Sequence, residues 1–249
     1  MSTAGTTERM AEASPRVTGM SPRLKARLAG VLYALEGTTA VFGQVYFRGK
    51  FLVSGNAAAT ASAILASETL FRLCCAAALL AVAFHLAYTV LFYDLFRPVN
   101  RTIALLAAVF GVVAGTLQAS AVLVQLAALL VVGGGALTGF TGQQAQGLAL
   151  LFLNLNAQAF NVYLIFFGFW LIPTGYLIAR STFMPRIIGV FLMLDGVGWA
   201  TYLYPPLATS IYPVIAIVAA FGEIPLLLWL LVFGVNAQRW NEQASTGRS

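Results

Sequence analysis

Continuous apolar runs of about 20 residues recur along this chain, and no other feature restricts its fold so strongly. A helix of that length crosses roughly 30 Å of hydrocarbon. Inside lipid a spanning segment must satisfy its own backbone polar groups, which leaves helices or closed barrels. The runs here are unbroken rather than alternating with period two, so a barrel is excluded. Charge content agrees: 9% of residues are charged and 60% are hydrophobic, whereas soluble domains carry about 25% charged residues. The expected fold is all-α, a polytopic membrane protein.

Breakers divide the runs. Spans are expected over residues 26–47, 68–96, 102–132, 143–179, 187–204 and 211–236, six in all. Arg48, Gly49 and Lys50 end the first, and a short helix is expected through the alanines between 57 and 66. Pro98 lies in a basic turn between Arg97 and Arg101, and Pro185 in a second between Arg180 and Arg186. Proline stops a helix by removing a donor and restricting the residue before it. Gly133, Gly134 and Gly135 break the third span, and Pro205-Pro206 the fifth. The start of the fourth allows an interfacial stretch before the crossing. Residues 1–20 are polar and read as a disordered tail, 21–240 as the membrane domain, and 241–249 as a second tail.

Six spans put both termini on one side, together with 11 of the 14 basic residues. The excess of Lys and Arg marks the cytoplasmic face. The net charge of +6 therefore orients helices and meets lipid headgroups, and does not indicate nucleic-acid binding. The bilayer itself is the expected partner, and oligomer formation stays open. Cys74 and Cys75 are adjacent in one apolar run and point about 100° apart on a helix, so neither a disulfide nor a CxxC site follows.

One frame recurs. Arg27-Leu-Ala-Gly30-Val-Leu-Tyr-Ala-Leu-Glu36-Gly37 matches Arg186-Ile-Ile-Gly189-Val-Phe-Leu-Met-Leu-Asp195-Gly196 in its arginine, small residue, aliphatics, acid and glycine. A weaker copy runs from Arg101 through Ala104 to Phe110-Gly111. Three parallel helix hairpins would produce this, although arginine before a span and glycine within it are each common. Such repeats often build transporters, with sites at the repeat interface.

Four ionisable residues lie inside spans: Glu36, His85, Asp195 and Glu223. Each costs roughly 2.5–3.5 kcal/mol at the bilayer centre, so intramembrane acids usually mark a pathway or a ligand. Counted from the basic ends they fall roughly 13–24 Å deep at 1.5 Å per residue, within one polar layer. Proton or ligand binding is the expectation for these four, with Asn161 and Gln118 as ligand hydrogen-bonders. On the fourth span Asn154, Gln158, Asn161, Gly168 and Gly175 share a face, and on the third Gly111 and Gly115 form a GxxxG pair that lets backbones approach. These seams read first as helix packing. Pro225, two residues after Glu223, frees a backbone carbonyl and suits either a cavity or a static kink.

One histidine cannot make a two-histidine haem or His-rich zinc site, and no HExxH, Walker or G-x-S-x-G pattern occurs. No cofactor, no metal and no catalytic residue can be assigned. Together, Arg27-Leu-Ala-Gly-Val-Leu-Tyr with Glu36-Gly37, Leu91-Phe-Tyr-Asp-Leu-Phe-Arg-Pro-Val-Asn-Arg101, Leu155-Asn-Ala-Gln158, Phe166-Phe-Gly-Phe169, Gly175-Tyr-Leu-Ile178 through Pro185-Arg186-Ile-Ile-Gly189, and Gly222-Glu223 resemble a bacterial membrane-protein family known as domain of unknown function 4386. The resemblance implies an integral membrane protein and carries no established activity; the bacterial inner membrane is the expected location. Binding or transport of a small molecule, lipid or proton is the leading expectation. A membrane enzyme acting on a lipid or isoprenoid, or a structural subunit, are the alternatives.

Overall fold

The computed structural model describes residues 20–133 and 139–246, and every regular element among them is helical. The 1–19 tail, Gly134, Gly135 and the last residues of the 241–249 tail lie outside the described residues. Helix α1 spans Pro22–Ala40, passes through a π-helical turn at Val41–Tyr46, and continues as α2, Phe47–Phe51. Then follow α3 (Ala57–Ala66), α4 (Glu68–Phe96), α5 (Arg101–Val132), α6 (Gly142–Arg180) and α7 (Arg186–Ala200). A 3₁₀ turn at Thr201–Leu203 leads to α8 (Pro205–Ser210), α9 (Tyr212–Val232) and α10 (Ala237–Thr246). Five helices, α4, α5, α6, α7 with its 3₁₀ turn, and α9, are long and apolar enough to cross a membrane. This is an integral membrane protein.

The ends follow the chemistry of the sequence. Ser21 caps α1 with proline at its first position, Asn100 caps α5, and Thr141 with Gln144 forms a capping box on α6. The α6 start is a single unbroken helix, packed on α3 and α5. The first helix starts earlier than expected, at Pro22, because proline tolerates the first turn. The last apolar helix stops at Val232, short of the expected 236, because Gly234 turns the chain at φ +66°. The polar stretch after Asn236 is itself helical, as α10.

Packing runs round a ring. α1 packs on α4, α4 on α5, α5 on α6, α6 on α7 and α7 on α9, and α9 closes against α1. Small residues set the closest approaches. A Cβ on Gly168 would lie 2.5 Å from the Gly196 carbonyl oxygen, and one on Gly175 would lie 2.5 Å from that of Gly189. Two glycine pairs thus hold α6 and α7 backbone to backbone, as small residues do in membrane bundles. Gly43 brings the π-helical turn equally close to Ala78 on α4.

At one end of the ring Phe47, Phe51 and Phe71 pack edge-on around Cys74 and Cys75, both buried. The opposite end is held by polar contacts. Lys25 and Arg97 both pair with Asp94. Trp240 on α10 donates from its Nε1 to the Leu95 carbonyl at 2.8 Å, and the Thr182 backbone N–H donates to Gln243 at 3.1 Å.

Candidate functional site

The GxxxG pair on α5 builds the first part of the site. Gly111 and Gly115 leave no room for side chains: their Cβ atoms would meet Thr89 at 2.7 Å and Leu86 at 3.0 Å. α4 therefore lies against α5, and the His85 ring, fully buried, reaches the α5 backbone. Its Nε2 sits 3.0 Å from the Gly111 carbonyl oxygen. A carbonyl only accepts, so Nε2 carries the proton, and Nδ1 of the neutral ring accepts from the Tyr88 hydroxyl at 2.6 Å. Both ring nitrogens are thereby used.

Glu36 on α1 approaches the same ring, with Oε1 4.0 Å from Nδ1. The Tyr163 hydroxyl on α6 donates to that oxygen at 3.5 Å, the long limit of a hydrogen bond. Glu223 on α9 accepts a short bond, 2.6 Å, from the Tyr33 hydroxyl on α1. Tyr33 meets Tyr88 edge-on at 5.2 Å, and Tyr88 and Trp170 are 5.4 Å apart, so aromatic rings pack beside the acids and the histidine. Asp195 on α7 is fully buried. Neither of its oxygens has a hydrogen-bond partner, and its polar neighbours are Glu223 and Trp199, whose indole N–H is also unpartnered. Gly222 explains the proximity: a Cβ there would lie 3.3 Å from the Phe191 backbone, one turn before Asp195.

The four ionisable residues expected in one layer, Glu36, His85, Asp195 and Glu223, are thus neighbours in a row that crosses the ring. Among the described residues no Lys or Arg pairs with any of the three acids. No three His, Cys, Asp or Glu side chains among them converge closely enough to hold a metal ion. Glu36 and Glu223 both line a groove of about 470 Å³ between α1 and α9, with Tyr33, Gly37, Val41 and Leu227.

No hydrogen bond links Asn161 or Gln118 to this row. Asn161 bonds Gln158 at 3.4 Å on an exposed face, and the Gln118 amide is buried with neither polar atom partnered. The α6 seam expected to face inward does so only at Gly168 and Gly175, where α7 covers it. The face continues beyond the end of α7, so Asn154 and Gln158 are exposed. The inward residue is Asn156, which donates to the Ala121 carbonyl at 2.8 Å.

Sequence reasoning missed the tyrosines. Tyr33 precedes Glu36 by three residues and Tyr88 follows His85 by three, so same-face spacing was a usable signal. It also missed Arg48, whose guanidinium lies 4.8 Å from the centre of the Phe160 ring, with Nε and Nη2 buried and unpartnered.

No curated protein and no solved structure matches the chain. A family model described as a domain of unknown function (DUF4386) matches residues 28–234, which include the whole row from Glu36 to Glu223, and the chain belongs to that family.

Proposed function

We propose that this protein crosses the bacterial inner membrane six times, with both termini cytoplasmic, and binds or moves a small molecule, lipid or proton at its buried carboxyl row. The observation that carries the reading is the convergence of Glu36, His85, Asp195 and Glu223 from four different helices, with no Lys or Arg partner among the described residues. Packing alone does not account for three neighbouring carboxyls in a low-dielectric interior, one of which, Asp195, has no hydrogen-bond partner, because each such group costs free energy. The sixth span is the run from Pro22 to Phe51, about 45 Å long at 1.5 Å per residue. It packs between α4 and α9 as the other spans pack between their neighbours. Hairpins α1–α4, α5–α6 and α7–α9 are the units of the threefold repeat.

The test uses gently extracted full-length protein, wild type beside the Asp195→Asn/Glu223→Gln variant. Native mass spectrometry reads a co-purifying ligand, and a pH-sensitive dye inside proteoliposomes reads proton flux. Wild type should give at least one signal, and the folded variant should lose it. A variant that keeps the wild-type signal, or a wild type with neither, overturns the reading.

A further inference from the structure

The groove between α1 and α9 has a cause in the packing. A Cβ on Gly30 would lie 2.9 Å from Leu230 Cβ, so the two helices touch closely there. Two turns on, a Cβ on Gly37 would meet nothing within 4 Å. The helices therefore splay from Gly30 towards Glu36 and Glu223, and open a space of about 470 Å³. That volume is of the size that holds small organic ligands. Its rim faces outward, with Val41 58% and Ile224 53% exposed, and is apolar but for Thr38, whose hydroxyl donates to the Ala34 carbonyl of its own helix at 2.8 Å. In a bilayer these side chains meet hydrocarbon, so the groove opens sideways into lipid rather than into water.

The floor is the opposite in character. Glu36 and Glu223 lie on it, and Asp195, fully buried with both oxygens unpartnered, stands next to Glu223. Among the described residues the basic group beside this floor is His85, whose two nitrogens are already engaged by the Gly111 carbonyl and the Tyr88 hydroxyl. Tyr33 adds a phenol ring to the wall, a surface that favours cations.

We propose that this groove admits a lipophilic monocation from the hydrocarbon, with its charged head between Glu36 and Glu223 and its apolar body along Val41, Ile224 and Leu227. The proposal rests on the carboxyl row being a ligand site. An ionised carboxyl on the floor would repel an anion, and a neutral amphiphile would gain no charge pairing there. A hydrated inorganic ion has no wet approach through an apolar rim.

The experiment compares tetraphenylphosphonium with tetraphenylborate, ions of one shape and opposite charge. Saturable binding of each radiolabelled ion is measured on full-length protein in nanodiscs of neutral phosphatidylcholine. Wild type should bind the cation saturably and the anion not. Glu223→Gln removes the ionisable carboxyl. Gly37→Leu places a branched side chain at the groove lining, from a Cβ position with nothing within 4 Å. Each should weaken cation binding at least tenfold, with Cys74 and Cys75 still masked from a thiol dye as the check on folding. Equal binding of the anion, unchanged binding in both variants, or no saturable binding to wild type overturns the inference. If carboxyl-dependent ligand or proton signals persist in that case, only the lipophilic-cation assignment fails. If they are absent too, the carboxyl-site reading fails with it.

Discussion

Substituting Gly196 by alanine tests whether the α6–α7 contact is as close as the structure has it. The added methyl would sit 2.6 Å from the Gly168 carbonyl oxygen, 2.8 Å from Ile172 Cγ1 and 3.0 Å from Ile172 N. A comfortable carbon–oxygen contact is about 3.3–3.6 Å, so the helices must part locally by roughly 0.7–1 Å. A gap of that size forfeits about a quarter to a half of each dispersion contact along the seam. Two of the three blocking atoms belong to the backbone and cannot rotate away. We therefore expect a loss of about 2–3 kcal/mol, the upper part of the range for overpacking. At roughly 2–4 °C per kcal/mol for a chain of this size, the midpoint should fall by about 4–12 °C. The assay is built into the chain. Its two cysteines, Cys74 and Cys75, are buried at the far end of the ring and become reactive to a thiol dye when the fold opens. Gly168→Ala/Gly196→Ala should cost less than the sum of its parts, because one separation relieves both clashes. Gly147→Ala is the control: nothing lies within 4 Å of its Cβ, and alanine is the better helix former by up to about 1 kcal/mol. A Gly196→Ala midpoint within about 1 °C of wild type, or an equal fall in Gly147→Ala, would refute the close-contact argument.

Other expectations follow from single contacts. Tyr88→Phe leaves His85 Nδ1 buried without a donor and should cost about 1–3 kcal/mol by the same thiol assay, while Tyr176→Phe, on the outside, should cost nothing measurable. Lys25→Ala should cost less than about 1 kcal/mol in that assay, because Asp94 keeps its 3.0 Å pairing with Arg97 and both groups are part-exposed. Trp240→Phe deletes the 2.8 Å bond from α10 to the Leu95 carbonyl; hydrogen exchange in 237–246 should quicken while exchange in α5 and α6 stays as in wild type.

The carboxyl row also gives meaning to features that look unrelated along the chain. The GxxxG pair on α5 acts through His85, since close backbone approach is what puts the Gly111 carbonyl within reach of its ring. Gly222 acts through Glu223 by bringing α9 against α7 beside Asp195. Gly30 and Gly37, seven residues apart, act in opposite senses. One draws α9 in, and the other leaves the groove open where the helices separate.

What the sequence determined by itself is the long apolar helices and which of them carry charges. Lipid cannot solvate a backbone, so an apolar run has to be a helix, and Pro98, Pro185 and the Pro205-Pro206 pair mark where it cannot continue. The ends of α4 coincide with the expected ones, and those of α5 and α6 differ by one residue at most. Glu36, His85, Asp195 and Glu223 were legible because a charge within such a run is costly wherever the helix is placed. Tertiary structure decided which faces meet. In lipid there is no hydrophobic force to sort one apolar face from another, so neighbours are chosen by how closely backbones pack. That is why Asn156 rather than Asn154 faces inward, and why Asn161 lies beyond the end of α7. It is also why the groove beside Gly37 appears only once α9 has closed on α1, 190 residues away along the chain between Tyr33 and Glu223.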